Sequence, residues 1–480
     1  MTTMKITRPS MADRQAQGRD ARDRTPRSSH TNWRPAGDRP DPVTTLTEQN
    51  VTREPDLVPV RHGRMMVSPF TFYRGAARVM AMDLKDTPVA GLDVQLCGDA
   101  HLSNFGAFAS PERKLLFDLN DFDETLPGPF EYDVKRMAAS FMIAARNNGF
   151  DKADQRASTL ASVTAYRDAM TMFAGMRTMD VWYAHLDEDQ LIKAIREATA
   201  EDRDGGKQHQ KLVKKALKRA EQNRRKAHTR DSLQALSKLA ENVDGRYRII
   251  SQPPIVVPAR DLPMTQDMTP DEIQQLVRDQ FRAYRSTLQD DRRKLLERFE
   301  VVDMARKVVG VGSVGTRAFI VLLQGRDAGD PLFLQIKEAT NSVLETSLPR
   351  SRYRLQGERV VQGQRMMQAA SDIYLGWTKG RDVTRHFYWR QLRDMKGSAE
   401  VELMTPVGLP VYGRICGWTL ARAHARSGDP VAIAAYLGGS DTFDKSITDF
   451  ADRYADQNEQ DYERFASAIK SGQLEAVDGQ

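Results

Sequence analysis

The sequence predicts an α+β fold in which a helical part, a β-rich part and a second helical part follow one another. Residues 150–300 carry apolar side chains mainly at helical spacing. After Val301, the segments KVVGVGSVGTRAFIVLLQG and DPLFLQIKEA combine β-branched residues with a glycine-rich turn, which is typical of neighbouring strands. Helical spacing returns from about Tyr412. This order predicts two lobes, with the last helices completing the helical lobe.

The expected domain organisation has four parts. Residues 1–55 are predicted to be a disordered tail, because they are rich in Arg, Asp, Pro, Ser and Thr and show almost no apolar periodicity. A helical lobe is expected over residues 56–300, a β-rich lobe over 301–400, and returning helices over 401–480.

Composition limits the class of protein without identifying its function. The 480 residues are 40% hydrophobic and 28% charged, which is ordinary for a globular protein. No apolar run approaches the roughly 20 residues that a membrane helix needs, and the start lacks the apolar core of a secretory signal. Cys97 and Cys416 are too few for a disulfide framework. We therefore expect a cytoplasmic protein, and its net charge of +6 suits an anionic ligand.

The segment GDAHLSN places a carboxylate and an amide five residues apart, after a predicted buried strand at residues 94–97. Asp99 could accept a proton from an attacking hydroxyl, while Asn104 could bind a magnesium ion. A pattern of this kind also occurs by chance, so it predicts a site only in combination with others.

A second candidate is the acidic run DLNDFDE, residues 118–124. Four acidic groups this close repel one another, and a metal ion relieves that repulsion when the segment is partly buried. The alternating Phe117, Leu119 and Phe122 favour a buried segment over a solvated acidic turn.

The β-rich part contains a pattern that suits phosphate binding. Its turn is GVGSVG, in which glycines would let backbone amides approach phosphate oxygens; its residues are Gly310, Gly312, Ser313 and Gly315. The turn runs into a strand rather than a helix, which argues against a dinucleotide-binding βαβ unit. Lys337 follows on the predicted strand FLQIKEA, and a buried lysine there would need an acidic partner. Glu358 on the next predicted helix is the candidate partner. The alternative is a solvent-exposed lysine on an edge strand.

Together these segments resemble known phosphotransferases. GDAHLSNFG followed by LNDFDETLPGPFEYDVKR resembles the aminoglycoside phosphotransferase signature, GDLHxxN followed by an IDWxDAGxGDPxYDLA-type run. The glycine-rich turn and LQIKEA resemble the glycine-rich loop and VAIK strand of protein kinases. From about Pro59 the chain also resembles an uncharacterised bacterial family known as domain of unknown function twenty-two fifty-two, whose members share SPFxFYRGAA, CGDAHLxNFG and FDLNDFDE.

The kinase-like resemblance implies ATP and magnesium as cofactors and a phosphotransferase acting on a hydroxyl acceptor. It implies that Asp99 orients the acceptor and that His101 lies near the transferred group. Metal ligation would fall to Asn104 and Asp121, with Asp123 supporting them or binding a second ion. The nucleotide would be bound by Gly310, Gly312, Ser313, Gly315 and Lys337 paired with Glu358, and the backbone of residues 391–394, which include Gln391 and Leu392, would lie near the adenine.

In kinases the glycine-rich loop precedes the catalytic loop, whereas here Asp99 precedes Gly310 by more than two hundred residues. The resemblance therefore implies a circularly permuted protein-kinase-like fold. The helix YGRICGWTLARAHARSGD resembles the one that ends before the catalytic loop, and joining Asp429 to Val94 would restore the usual order.

Several alternatives remain open at the level of sequence. Asp118 fits the spacing to Asn104 better than Asp121, although Asp121 fits the residues that follow. No segment resembles a kinase activation loop ending in APE, which favours a small-molecule acceptor. The same site could transfer AMP instead of a phosphoryl group, or could be an inactive regulatory module. Residues 207–230 hold ten Lys and Arg, but a solvated helix face explains them better than nucleic-acid binding.

Overall fold

The computed structural model describes residues 9–200, 207–262, 268–308, 310–392 and 395–477. The helices are α1 (Met11–Arg24), α2 (Pro42–Asn50), α3 (Val58–Met65), α4 (Pro69–Gly75), α5 (Ala77–Leu84), α6 (Phe130–Asn147), α7 (Lys152–Ala174), α8 (Thr178–Tyr183), α9 (Glu188–Ala200), α10 (Lys207–His228), α11 (Ser232–Leu239), α12 (Pro270–Arg285), α13 (Asp290–Leu296), α14 (Gln356–Met367), α15 (Gly408–Ser427), α16 (Pro430–Leu437) and α17 (Thr442–Lys470).

The strands are β1 (Asp93–Leu96), β2 (Phe105–Ala109), β3 (Leu115–Leu119), β4 (Leu126–Pro129), β5 (Leu186–Asp187), β6 (Ala240–Val243), β7 (Arg246–Ile249), β8 (Val256–Pro258), β9 (Glu300–Lys307), β10 (Ala318–Gln324), β11 (Pro331–Ala339), β12 (Gly376–Lys379), β13 (His386–Gln391) and β14 (Gly397–Ser398). They form antiparallel sheets of order β12-β13-β11-β10-β9-β8, β14-β2-β3-β5, β1-β4 and β6-β7. The predicted α+β class is confirmed.

The largest core is built around α6, which is buried along nearly its whole length. It packs against α7 and α17, while α15 runs along α7. Phe130 at its start stacks on Tyr166, with the ring centroids 6.1 Å apart. A buried aromatic of this kind stabilises the fold by about 1.5–3 kcal/mol through burial alone, so this helical body forms a stable support for the loops attached to α6.

The prediction of a disordered tail is wrong for residues 9–55. Ser10 caps α1 with a capping box, and Asp41 caps α2. Ala21, Trp33 and Leu46 are buried, and α1 packs on α16. The contact surface of α1 consists of the small residues Gly18 and Ala21, so the helix carries no apolar stripe that a periodicity argument could detect. Residues 1–8 lie outside the described part of the chain.

The six-stranded sheet forms a second body with apolar residues on both faces. On β11, Leu334 and Ile336 face a cluster that includes Tyr284 of α12, while Phe333 faces the opposite cluster, which includes Leu236 of α11. The predicted boundary at residue 301 is too late, because α11 to α13 pack on this sheet and β8 pairs with β9. β8 has three residues after a proline-rich break, which is too short to produce a strand pattern.

The end of α15 lies beside β1. The Gln95 N–H donates to Ser427 Oγ at 3.1 Å, and a Cβ on Gly428 would lie 2.6 Å from Val94 Cγ1. The C-terminal end of α15, which comes late in the sequence, therefore lies next to β1 and the loop that follows it. Among the described residues, no helix has both the length and the apolarity that crossing a membrane requires.

Candidate functional site

A cleft of about 810 Å³ lies between the helical body and the six-stranded sheet. The parts of the sequence that line it include the loop after β1, the acidic loop before β4 and the turn between β9 and β10, together with residues 48–53, 74–78 and 338–346. The predicted site residues that line it are Asp99, His101, Asn104, Asp121, Asp123, Gly310, Gly312 and Ser313. Folding thus brings together candidate residues that are more than two hundred positions apart.

The loop after β1 is held from below by Asp133, which lies in the first turn of α6. Its carboxylate accepts the N–H of Cys97 at 2.8 Å and the N–H of Gly98 at 3.0 Å. His424 of α15 contacts the same carboxylate at 3.2 Å. Gly98 has φ +84°, and any Cβ there would overlap the backbone of Glu124. These contacts fix the direction in which the loop enters the cleft.

Asp99 is ion-paired at the cleft wall. Arg136 Nε donates to its Oδ1 at 2.8 Å, and the Arg136 guanidinium lies over the Tyr73 ring, 3.7 Å from its centroid. Burial raises the pKa of Asp99, while the Arg136 charge acts in the opposite direction. The carboxylate is therefore held in one orientation and is more basic than an exposed aspartate.

His101 is neutral at the bottom of the same loop. Burial lowers its pKa well below the usual value, and the charges of Arg74 and Arg136 lower it further. Its Nε2 lies 3.8 Å from Asp99 Oδ2. Its Nδ1 is buried and has no hydrogen-bond partner among the described residues. The ring thus has an unused polar atom in the cleft wall.

Asn104 and Asp121 have the oxygen atoms that a magnesium ion prefers. The Asn104 Nδ2 donates to the Asp99 carbonyl at 2.7 Å, which orients the amide. Its Oδ1 accepts no hydrogen bond from the described residues and is of the atom type that binds a hard cation. Asp121 is one of the charges that act on Asp99. Within the described ranges, no group of three or more His, Cys, Asp or Glu could hold a metal ion. Two protein ligands suit magnesium that is also bound to phosphates, since that ion usually takes one or two carboxylates.

Asp118 does not belong to the cleft. It is 1% exposed, its carboxylate pairs with Arg422 of α15, and it accepts the Ala369 N–H at 2.8 Å. The structure therefore gives Asp118 a place in the core and leaves Asp121 facing the cleft.

Lys337 pairs with the acidic loop rather than with Glu358. Its Nζ lies 2.5 Å from Asp123 Oδ2 and 3.9 Å from Asp121 Oδ2, and the Tyr388 hydroxyl donates to the other Asp123 oxygen at 2.6 Å. These two carboxylates raise the pKa of Lys337 against the opposing effect of burial. Asp123 therefore anchors Lys337, a role different from the predicted metal ligand.

The predicted Lys337–Glu358 pair is wrong for a reason that lies in α14. The inward-facing residue of its first turns is Arg359, which is 2% exposed. Arg359 donates to the carbonyls of Thr125, Asp123 and Thr340 at 2.7–2.8 Å. Because consecutive residues of a helix point in different directions, only one of Glu358 and Arg359 can face the acidic loop. The sequence alone did not show which of the two it is.

The glycine-rich turn is held in place by residues near the N-terminus. Gly310 and Gly315 have φ +67° and +87°, which side chains with a Cβ rarely adopt. Arg64 donates to the Gly310 carbonyl at 2.6 Å, and the Glu54 N–H donates to the Gly315 carbonyl at 2.8 Å. Gly315 packs against Arg53 and does not line the cleft, in contrast to Gly310, Gly312 and Ser313.

Gln391 and Leu392, predicted to lie near an adenine, do not line the cleft. The Gln391 N–H donates to the Asp372 carboxylate, and the Leu392 N–H donates to the Phe333 carbonyl at 2.9 Å. Their backbone donors are thus engaged inside the sheet body. Residues 393–394, included in the same prediction, lie outside the described part of the chain.

Comparison with known protein families gives a match over most of the chain. The family described as "Uncharacterized protein conserved in bacteria (DUF2252)" matches residues 53–468. The chain belongs to the DUF2252 family. The resemblance to domain of unknown function twenty-two fifty-two is thereby confirmed, and the DUF2252 match includes every cleft-lining residue from Arg53 onward. Neither the comparison with curated proteins nor that with solved structures found a match.

Two cations near Asp121 and Asp123, Arg390 and Lys396, escaped sequence reasoning; neither lines the cleft itself. Arg390 lies on the face of β13 that also carries Tyr388, opposite Gln335 and Lys337 of β11. Burial alone would lower the pKa of Arg390, but Tyr388, Asp121 and Asp123 raise it overall. Lys396 lies near it, and the Arg390 charge together with burial lowers the Lys396 pKa to about 7. Strand alternation in HFYWRQ could have indicated Arg390, since residues two apart share a face.

Proposed function

We propose that this DUF2252 protein binds ATP with magnesium in the cleft and transfers the γ-phosphoryl group to a hydroxyl of a small molecule. One observation carries the proposal: Asp99, Asn104 and Asp121 line the same cleft as the glycine-rich turn. Lys337 forms an ion pair with Asp123, which also lines this cleft. An ion-paired, buried lysine beside carboxylates and a glycine turn suits a metal-bound polyphosphate.

The residues present fit the cations and anions of such a reaction. Asn104 and Asp121 would hold magnesium, which would neutralise charge on the phosphate oxygens. Lys337, Arg390 and Lys396 form a group of cations around Asp121 and Asp123 that would bind the phosphates.

Asp99 would orient the acceptor and receive its proton. The acceptor oxygen would form a bond to the γ-phosphorus as the bond from that phosphorus to the β,γ-bridging oxygen breaks, releasing ADP. The raised pKa of Asp99 suits proton acceptance, and its contact with Arg136 limits the directions in which it can point.

Three features support a circularly permuted kinase-like arrangement. The glycine-rich turn joins two antiparallel strands, β9 and β10, and Lys337 lies on the next strand of the sheet. The helix α14 follows that strand and packs on β12 and β13. The end of α15 lies beside β1, where joining residues 429 and 94 would restore the chain order of kinases.

The test is transfer from ATP labelled at either the α or the γ position, using the purified full chain, magnesium and a metabolite extract. We expect γ-label to enter small molecules, and Asp99→Ala to lower this turnover a hundredfold or more while ATP affinity changes little. Transfer of α-label would instead establish the nucleotidyl transfer left open by the sequence. Absence of ATP binding in the parent protein would refute both activities.

A further inference from the structure

The cleft wall contains a partly buried arginine, Arg74, that has no anionic partner among the described residues. Arg74, in the last turn of α4, lines the cleft, and a Cβ at Gly312 would lie 3.1 Å from the Arg74 carbonyl oxygen. Its Nε is buried and has no hydrogen-bond partner among the described residues. Across the described residues, no carboxylate comes within ion-pair distance of the Arg74 guanidinium, whereas Arg78 pairs with Glu48 at 3.3 Å.

The acidic groups that act most on Arg74 do not neutralise its positive charge. Burial lowers its pKa, and the charges that oppose this most are Glu402 and Asp99. Glu402 is exposed, and Asp99 is already paired with Arg136 at 2.8 Å. An ionised guanidinium in a partly buried position without a counter-ion carries a desolvation cost that an anionic ligand would offset.

His101 adds a second unused polar group at the same place. Its side chain is 4% exposed, and its Nδ1 has no partner among the described residues. The Arg74 charge acts directly on this ring. A neutral imidazole beside a guanidinium can donate a hydrogen bond to an oxyanion without adding a second full charge.

Arg74 lies on the Asp99 side of the cleft rather than on the side of the other cations. Lys337, Arg390 and Lys396 are each influenced by Asp121 and Asp123. Arg74 instead follows Tyr73, whose carbonyl accepts a hydrogen bond from Arg136 at 2.9 Å, and the same guanidinium donates to Asp99 at 2.8 Å. In the proposed reaction, the Asp99 side is where the acceptor hydroxyl approaches.

We propose that Arg74 and His101 form an anion subsite for the acceptor, so that the substrate carries a carboxylate or a phosphate in addition to its reacting hydroxyl. That the bound anion belongs to the acceptor substrate rests on the proposed function, whereas the anion subsite itself depends only on Arg74 and His101. A bidentate guanidinium contact would hold the substrate with its hydroxyl near Asp99.

The test is calorimetric titration of inorganic phosphate, and separately of acetate, into the full chain saturated with magnesium and the non-hydrolysable analogue AMP-PNP. We expect at least one of the two anions to bind, and Arg74→Gln to weaken that binding at least tenfold with AMP-PNP affinity unchanged. Arg177→Gln is the matched control, because it removes an exposed arginine charge outside the cleft and should change anion binding less than twofold. The stronger of the two anions identifies the anion class.

The inference is overturned if neither anion binds the parent protein, if Arg74→Gln binds both like the parent, or if Arg74→Gln loses AMP-PNP instead. Thermal unfolding of Arg74→Gln and Arg74→Lys checks the fold, and a folded Arg74→Lys should retain part of the anion binding. Failure of the proposed function is a separate result, because it appears as a parent protein that does not bind AMP-PNP. In that case phosphate binding to the nucleotide-free chain still tests the subsite: loss in Arg74→Gln supports it, and loss only in Lys337→Ala overturns it.

Discussion

At the scale of single residues, the carboxylates at the end of β3 and in the acidic loop that follows it have different roles. Asp118 pairs with Arg422 in the core, Asp121 faces the cleft, and Asp123 anchors Lys337. Three acidic residues within six positions thus contribute to stability, to a candidate metal site and to the position of a lysine. Substitutions that treat them separately can distinguish these roles.

The first prediction concerns Lys337 and its partner. Lys337→Ala and Asp123→Asn should each weaken ATP binding at least tenfold, about 1.4 kcal/mol, because the ammonium is lost in the first and its anchor in the second. Glu358→Gln should change ATP affinity less than twofold, since Lys337 pairs with Asp123 and Asp121. Calorimetric ATP titration measures all three, and a large effect of Glu358→Gln would contradict the observed pairing.

The second prediction separates Asp121 from Asp118. Asp121→Asn should abolish magnesium-dependent ATP binding with little change in stability, because it removes a cleft carboxylate that is 32% exposed. Asp118→Asn should lower the free energy of unfolding by about 3–5 kcal/mol, since it leaves Arg422 buried without its counter-charge. Urea unfolding and ATP titration of both variants provide the comparison. If Asp121→Asn binds magnesium ATP like the parent, the metal assignment fails.

At the scale of elements, the N-terminal segment contributes to both bodies. Its first helix packs on α16, and residues 53–64 hold the glycine-rich turn through Arg64 and the Glu54 N–H. Turn geometry therefore depends on a segment that lies far away in the sequence. The contact of α1 is close enough that a side chain at Gly18 would overlap the Ala432 carbonyl.

The third prediction tests this contact. Gly18→Leu should lower the free energy of unfolding by about 2 kcal/mol or more, because overpacking forces α1 away from α16. Gly37→Leu is the control, since a Cβ at Gly37 meets no atom within 4 Å, and its effect should stay within about 0.5 kcal/mol. Urea unfolding measures both. Equal stability of the two variants would show that α1 does not pack on α16 in solution.

At the scale of the whole molecule, the acidic loop joins the helical body to the sheet. Glu124 accepts the Val343 N–H at 2.6 Å, and its carbonyl accepts the Ser342 hydroxyl at 2.7 Å. Burial raises the pKa of Glu124 to about 7, against an ordinary 4.5, and nearby Asp123 and Asp99 contribute to the increase. The junction between the two bodies is therefore sensitive to pH.

The fourth prediction follows from this pKa. Between pH 4.5 and about 7 the folded state binds the Glu124 proton more tightly than the unfolded state, so the stability that this proton provides is lost as pH rises through that range. Glu124→Gln lacks this titration and retains an acceptor for Val343. Its free energy of unfolding relative to the parent should therefore increase with pH, by on the order of 3 kcal/mol from pH 4.5 to 8. Urea unfolding across this pH range is the measurement, and Glu112→Gln, which removes an exposed carboxylate, is the control. An identical pH trend in Glu124→Gln and the parent protein would contradict the prediction.

Local sequence patterns determined much of this protein. The α+β class, the strand carrying Lys337 and the glycine-rich turn were all predicted, because side-chain alternation and the conformational freedom of glycine act over a few residues. The spacing in GDAHLSN indicated Asp99 and Asn104, the resemblance to aminoglycoside phosphotransferases favoured Asp121 over Asp118, and all three line one cleft.

Tertiary structure alone decided which charged groups meet. The partner of Lys337 is Asp123 rather than Glu358, Asp118 lies in the core, and residues 9–55 are ordered through contacts with α16 and α17. Lys396 likewise comes near Arg390 from a segment that carries no recognised pattern. The physical reason is that ion pairs and helix contacts depend on distances in the folded chain. The free-energy cost of closing a loop grows only slowly with its length, so residues far apart in sequence can form these contacts.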